Sequence, residues 1–448
     1  MKETEKKGRL TRVLALTTLI AAFGSSFQYG YNVSSINSPS EIMKEFYNET
    51  FYDRTSDYLS EFSLTLLWSV SVSMFPFGGL VGSFLVGPMV NNLGRKGTLL
   101  LNNIFSIVSS ILMGCSETAK SFEMIIVARF LVGICAGWPI LLGLTGVPAG
   151  VQLLLLPFSP ESPRYLLIQK KDEKAARKAL RELRGWDDVE DEIQEIREED
   201  EAEKAAGFIS VLKLFQTRSL RWQVVSIIVL MAGQQLSGVN AIFYYTDQVF
   251  RSAGVETDHI QYVTVSTGTV NMLITICAVF VVEYLGRRFL LLLGFFICFA
   301  ACCVLTVALA LQDTVSWMPY LSIACVFSYV VGHALGPSPI PALLTMEIFL
   351  QSSRASAYVV GGSVHWLSNF IVGLVFPFIQ EALKSYSFII FAVVCLLTTI
   401  YTFFIIPETK GKTFMEINQI FTKRNKVPDM YPDKEELNEL PPATLEQN

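Results

Sequence analysis

The sequence predicts an all-α polytopic membrane protein with two helical bundles, the first of them truncated. Three observations predict it. The 448 residues are 51% hydrophobic and 17% charged, with mean hydropathy +0.43, more apolar surface than a soluble chain buries. The apolar residues gather into blocks, most of them near the roughly 20 residues that a spanning helix needs. Short basic loops then recur in matching order in two parts of the chain.

The blocks fall at about 11–31, 62–90, 98–115, 123–158, 222–246, 262–284, 288–311, 317–345, 357–381 and 386–406. The fourth is too long for one span and barely long enough for two. Arg95-Lys96, Arg164, Arg287-Arg288, Arg354 and Lys410 with Lys412 share one side only if that block makes one net crossing, as the positive-inside rule favours. Both termini are then cytoplasmic and the loop at 32–61 lies outside, where Asn48-Glu49-Thr50 forms a glycosylation sequon. Lys6-Lys7-Gly8-Arg9 precedes the first block, and no cleavable signal is apparent behind it.

The organisation that follows is an N-terminal bundle over 1–160, a cytosolic linker over 161–221, a six-helix bundle over 222–410 and a tail over 411–448. The linker mixes charges with Ala and Leu at helical spacing, which reads as short helices; a flexible solvated linker is the alternative. After Thr413 the polar tail, with Pro428, Pro432, Pro441 and Pro442, looks disordered. The eight cysteines sit in apolar runs without metal-like spacing and read as small buried hydrophobes. No basic patch interleaved with aromatics points to nucleic acid, and no cofactor or metal site is suggested. No nucleophile stands with a base, so an enzyme is the least favoured class.

Leu93-Gly94-Arg95-Lys96-Gly97 after the second block matches Leu285-Gly286-Arg287-Arg288 after the sixth, and Pro160-Glu161-Ser162-Pro163-Arg164 matches Pro407-Glu408-Thr409-Lys410. Two such pairs in order indicate duplicated halves, a plan that transporters use with a substrate site between them. Gly286 to Pro407 is 121 residues and Gly94 to Pro160 only 66, so the first half is 55 short. The loss fits the fourth block, with a seam between Gly137 and Trp138.

Within the 222–246 block stand Gln234, Gln235 and Asn240, with Ser237 and Gly238 between them. Lipid gives such groups no partners, so they face another helix as glue or a wet cavity holding a polar solute. Gly336-Pro337-Ser338-Pro339 with Pro341 must interrupt helical hydrogen bonding in mid-span, which suits a hinge or gate beside a cavity.

Gln234-Gln235-Leu236-Ser237-Gly238, the paired Gly-Arg loops and the paired Pro-Glu motifs together resemble the facilitative hexose transporters, of the sugar porter family in the major facilitator superfamily. The resemblance covers nearly the whole chain and implies the major facilitator fold. Glucose-selective members carry Trp where this chain has Ala342, so the resemblance implies fructose as the hexose carried. After Gly137 the family would continue with the rest of its fourth helix, a cytosolic motif and a fifth helix, none of which is present; the gap looks like a splice-type deletion.

By resemblance the sugar meets Gln234, Gln235, Asn240, Asn271, His333, His365 and Trp366, with Tyr31 and Ser338 also candidates. The chemistry suits them, because amides and imidazoles pair with hydroxyls that donate and accept, while Trp366 covers an apolar sugar face. Asn271 and His365 have the alternative of bonding neighbouring helices, and Trp366 that of plain packing. Arg95, Glu283, Arg287, Arg288, Glu347 and Arg354 are expected to form cytosolic locks between the bundles, and Arg129 to snorkel or pair locally. No block holds a carboxylate near its centre, so passive uniport by alternating access is expected rather than proton coupling. The resemblance implies a plasma-membrane location, apical in epithelium. A non-transporting variant that acts as a sugar-binding receptor or interfering partner is the alternative function.

Overall fold

The structure, a computed structural model, describes residues 11–16, 39–136, 154, 159–206, 209–252, 254, 256–312, 314–349, 351–412 and 414–425. Among these residues every regular element is helical. Tyr31 and the seam at Gly137-Trp138 lie outside the described residues.

In the first half, α1 (Ser40–Thr55) precedes α2 (Glu61–Ser116) and α3 (Phe122–Ala136). The sequence reading took 32–61 as a loop, because α1 has no apolar stripe. Tertiary contacts hold it instead. Tyr47 donates to Ser71 Oγ at 3.0 Å, Arg54 donates to Glu123 Oε2 at 3.1 Å and to the Lys120 carbonyl at 2.7 Å, and Lys120 bonds Asp53 at 2.6 Å. The sequon residue Asn48 lies within this helix, its Oδ1 accepting the Leu59 N–H at 2.9 Å.

Helix α2 is two helices joined at Gly94, whose φ of 77° is open to glycine at little cost. Its arms Glu61–Leu85 and Lys96–Ser116 are each long and apolar enough to span. Arg129 of α3 is fully buried and stays local, donating to the Ser71 and Val72 carbonyls at 3.4 Å with its guanidinium 4.9 Å from the Phe75 ring centroid.

The linker holds α4 (Glu173–Arg184), α5 (Glu190–Ala206) and α6 (Val211–Gln216). Helix α4 starts where Asp172 accepts the Ala175 N–H at 3.0 Å and stops at Gly185, φ 75°. Ala176, Leu180, Val189 and Ile193 bury a small core of their own between α4 and α5, each larger side chain contributing about 1.5–3 kcal/mol.

The second half runs α7 (Arg221–Leu236), α8 (Val239–Ser252), α9 (Thr257–Leu285), α10 (Arg287–Leu311), α11 (Met318–Leu335), α12 (Ile340–Ile348), α13 (Gln351–Leu383) and α14 (Ser387–Ile405). Among the described residues six stretches qualify as spans: the two arms of α2, Arg218–Phe243, Arg287–Leu311, Met318–Ile348 and Ser353–Ile405. The last contains both α13 and α14, joined by a 3₁₀ turn at Lys384–Tyr386. Helix α10 packs on α11 and α14, and α13 packs on α7 and, across the two halves, on α2. One hydrophobic core therefore includes Trp68 and Phe75 of the first half with Trp366 and Phe376 of the second.

Three expectations change here. The 222–246 block is not one continuous helix, because Gly238 takes φ +100° between α7 and α8. Cys298, Cys302, Cys325 and Cys395 are buried, whereas Cys115 and Cys277 are exposed. The tail after Thr413 does not start disordered: α15 (Phe414–Asn425) buries Ile417 and Phe421. Its last residues tie two other helix ends. Asn425 accepts the Trp222 N–H at 3.3 Å and donates to the Ser219 carbonyl at 2.6 Å, while Arg424 donates to the carbonyls of Phe404 and Ile405. Unpaired groups at the start of α7 and the end of α14 are satisfied in this way.

Candidate functional site: a broken-helix amide cluster

The break between α7 and α8 is built into its residues. A methyl on Gly238 would lie 2.6 Å from the Phe391 ring, so a residue with a side chain meets both a clash and a disfavoured φ. The groups freed by the break find partners from α11: Tyr329 OH lies 2.9 Å from the Ser237 carbonyl and 3.0 Å from its Oγ, and Ser237 Oγ itself donates to the Gln234 carbonyl at 2.7 Å. Opposite, α11 and α12 separate at Gly336, Pro337, Ser338 and Pro339, where the Ser338 N–H bonds the His333 carbonyl at 2.9 Å. Gly336 packs so closely on α10 that a methyl there would lie 2.2 Å from the Leu290 carbonyl oxygen. Pro341 is buried in the first turn of α12.

Between these breaks the polar side chains meet. Gln234 Nε2 donates to the Ser338 carbonyl at 2.7 Å, so Ser338 contributes its backbone rather than its hydroxyl. Asn240 Nδ2 donates to Gln235 Oε1. His365 Nδ1 lies 3.1 Å from Gln234 Oε1 and also 3.1 Å from Gln235 Nε2. His333 Nε2 is 3.2 Å from the Gln234 carbonyl, its ring stacked at 6.0 Å on Tyr329. Trp366 is 6% exposed and meets the His365 ring edge-on at 5.2 Å. Gln234, Gln235, Asn240, Ser338, His333, His365 and Trp366 are thus brought together. Asn271 is not joined to them by any hydrogen bond among the described residues; it is half-buried on α9, its carbonyl accepting from Thr275.

One atom is shared twice. In either neutral tautomer His365 Nδ1 is a donor, which suits Gln234 Oε1, or an acceptor, which suits Gln235 Nε2, but never both. With the amides turned as they are in this arrangement, one of them is left with an unfilled bond, at a cost of about 1–3 kcal/mol if it stays dry. A hydroxyl, which donates and accepts, fits that vacancy. A cavity of ≈ 220 Å³ lies next door, lined by Leu236, Val372, Phe376, Phe391 and other apolar residues. It offers no partner to such a hydroxyl and is not this site.

At the other end of the helices Arg287 donates to Glu347 Oε1 and to Glu283 Oε1, each at 3.0 Å. Glu347 Oε2 accepts from Thr409 at 2.5 Å. Glu408 accepts the backbone N–H groups of Arg287 at 2.9 Å and Arg288 at 3.1 Å. Arg288 donates instead to the Phe403 carbonyl at 2.6 Å, and Arg354 to the Phe349 carbonyl at 3.2 Å. These contacts join α9, α10, α12 and the chain after α14, all from the second half, so they clasp that half rather than the seam between halves. Glu161 repeats part of the pattern in the first half, accepting the Lys96 N–H at 3.2 Å. The side chain of Arg95 lies outside what the structure describes.

The sequence reading missed Tyr329 and the residues of α2 that meet Trp366. Tyr329 stands four residues before His333, one helical turn away on the same face, a signal that was present.

A multi-pass, all-helical membrane protein in two packed halves, with uncharged hydrogen-bonding groups gathered where its helices break, has the architecture of a membrane transporter. The chain belongs to the sugar transporter family: the model for "Sugar (and other) transporter" matches residues 17–138 and 136–421. It is 68% identical to the human protein called solute carrier family 2, facilitated glucose transporter member 5, with 99% of each chain covered. The mouse member 5 is 64% identical over 100% of this chain and 99% of its own, and the human member 7 is 53% identical over 98% and 96%. Among solved structures, the major facilitator proton:xylose symporter XylE bound to 6-bromo-6-deoxy-D-glucose superposes with a TM-score of 0.74 at 22% identity, covering 91% of this chain and 99% of that one. An inward-open form of the xylose transporter XylE from E. coli gives 0.72 at 20%, with the same coverage. The fold is therefore the major facilitator fold, and the protein is a facilitative sugar transporter and not an enzyme.

The comparisons also bear on the seam. The two family-model matches overlap at residues 136–138, and 99% of this chain aligns with the human member 5 over 496 positions. With 99% of this chain aligned, about 50 of those positions are gaps in it, close to the shortfall measured between the repeats. This is an internal deletion that truncates the first bundle.

Proposed function

We propose that the protein carries fructose passively across the plasma membrane by alternating access. The observation that carries the reading is the doubly claimed His365 Nδ1, which leaves one amide of the Gln234–Gln235 pair short of a partner until a sugar hydroxyl supplies it. Helix glue would have no reason to leave that bond unmade. Trp366, beside His365, offers its face to the C–H side of a pyranose or furanose ring.

Fructose rather than glucose is supported by Ala342, half-buried on α12 behind the Gly336–Pro339 break, where the glucose-selective members that this chain resembles carry Trp. The functional residues proposed are Gln234, Gln235, Asn240, His333, His365 and Trp366 for the sugar, with Asn271 and Tyr31 as further candidates. Gly336, Pro337, Pro339 and Pro341 form the hinge, and the Arg287 clasp braces the cytosolic end of the second half. Passive operation is supported by a cluster made of amides, imidazoles and hydroxyls, in which no group is charged by necessity. We place both termini in the cytoplasm, a glycan on Asn48 outside and the protein in the apical membrane of epithelium. The division into bundle, linker, bundle and tail at 160, 221 and 410 belongs to the same reading.

Uptake of radiolabelled fructose by liposomes holding the purified protein, compared with the Gln235→Ala variant, tests it. Saturable uptake that survives collapse of a pH gradient is expected. Uptake that stops with the gradient overturns the passive mechanism, and binding without flux overturns transport.

A further inference from the structure

Gly79 lies on α2 where that helix crosses α13, and it has no room for a side chain. A methyl on it would fall 2.5 Å from Cδ2, 2.6 Å from Cε3 and 2.8 Å from Cε2 of Trp366. Four residues earlier, on the same face of α2, Phe75 meets the same indole edge-on, with ring centroids 6.0 Å apart and planes at 82°. Phe75 is fully buried and held in turn by the Arg129 guanidinium, 4.9 Å from its ring centroid. Gly79 is the floor and Phe75 the wall of a socket in the first half, and the indole that fills it comes from the second.

The other glycines along this arm do something different. Methyls on Gly78 and Gly82 would strike the α3 backbone, at 2.2 Å from the carbonyl oxygens of Phe130 and Ile134, so those two glycines serve packing within the first half. Among the described residues, Gly79 alone of the α2 glycines faces a side chain of the other half. That side chain lies next to His365, whose Nδ1 stands between the two glutamines.

We propose that Gly79 is a positioning residue for the sugar site: with Phe75 it seats the Trp366 indole across the seam, and thereby fixes where the second half's sugar-facing aromatic stands relative to the first half. The inference rests on the reading of the amide cluster as the sugar site. When the halves rock, the indole and α2 move relative to one another, so the fit of this socket governs both how tightly sugar is held and which arrangement of the halves holds it.

The test compares the unaltered full-length chain with Gly79→Ala, Trp366→Ala and the double variant, each purified, for melting temperature without sugar and for the further shift produced by a fructose series. Gly79→Ala is expected to lower the melting temperature when Trp366 is present and to leave it unchanged or raised when residue 366 is Ala, because the methyl then enters vacated space. The fructose concentration giving half the full shift is expected to rise about tenfold in Gly79→Ala, the equivalent of one or two hydrogen bonds or ring contacts, and to be no higher in the double variant than in Trp366→Ala. Equal losses from Gly79→Ala in both backgrounds overturn the proposal, as does an unchanged half-saturation in Gly79→Ala. If Gly79→Ala fails to fold but the double variant folds, the clash is with the indole and the socket is supported; if both fail, the methyl meets something else and the proposal falls. If the melting temperatures are coupled but fructose shifts none of them, the unaltered chain included, the socket stands and the sugar reading is what fails.

Discussion

Glu161 and Glu408 occupy equivalent places in the two halves. Glu408 accepts the N–H groups of Arg287 and Arg288 at the start of α10, and those of Thr409 and Lys410 in its own loop. Glu161 accepts those of Lys96 and Ser162. Gly286 and Gly94 lie against these carboxylates, and a methyl on either would approach Glu408 Oε2 at 2.6 Å or Glu161 Oε2 at 2.9 Å. The Gly-Arg loop and the Pro-Glu motif, far apart in sequence, are thus two parts of one helix cap, present twice because the chain is internally duplicated.

Removing the caps should therefore have unequal effects. Glu408→Ala strips acceptors from two N–H groups of α10, and is expected to destabilise by about 1–3 kcal/mol. Glu161→Ala should cost less. Melting temperatures of the two purified variants check the order, and a larger drop for Glu161→Ala would contradict it.

The amide cluster makes a prediction about substrate. Gln235→Ala removes the bonds to Asn240 and His365 together and should lower fructose uptake below saturation by about 10–100-fold, since each 1.4 kcal/mol is a factor of ten. His365→Ala should do at least as much, because it withdraws the partner of both glutamines. Initial rates in liposomes measure this; near-normal rates in either variant would remove the cluster from the sugar path.

In the linker, the hydrogen bond from Arg177 holds the Glu173 carboxyl below the ordinary carboxylate range, with Arg197 adding its charge. A lowered pKa means that the folded linker favours the ionised form. The stabilisation is complete above the unfolded-state value of about 4.3 and is lost as pH falls through the lower folded value. Limited proteolysis across 173–206 should accelerate below about pH 4 and be nearly flat from pH 6 to 8, with Arg177→Ala shifting the onset upward. Constant protection at low pH would show that the Glu173 carboxylate, which meets Arg197 of α5 as well as Arg177 of its own helix, does not hold α4 to α5.

The deletion carries its own expectation. A bundle lacking about 50 of its relatives' positions is expected to present polar helix faces to lipid, each unsatisfied group costing several kcal/mol, so little of the protein should reach the cell surface. Inserting the corresponding residues of a member 5 relative after Gly137 should raise the surface fraction severalfold by biotinylation. Full surface expression of the shorter chain would refute this.

Much of this was legible in the sequence, for reasons that differ from element to element. Gln234 and Gln235 stood out because an apolar run makes polar groups expensive, and His365 and Trp366 because their family motif was intact. The seam showed itself as an inequality between repeats. What stayed hidden were features that only tertiary contact creates. Helix α1 has no apolar face and owes its place to Arg54 and Tyr47; α15 was masked by the prolines behind it. Gly79 is one glycine in a glycine-rich stretch, and its partner lies 287 residues further on. The break at Gly238 was not read, because the hydropathy around it suggested an unbroken span.

The short segment ending in Arg424 and Asn425 has a practical consequence. Because those two side chains finish helices that begin and end elsewhere in the chain, a reporter protein or purification handle joined upstream of Asn425 would fray α7 and α14 at once. Fusions should be placed beyond it, and a shortened carboxy terminus should be judged by whether this pair survives.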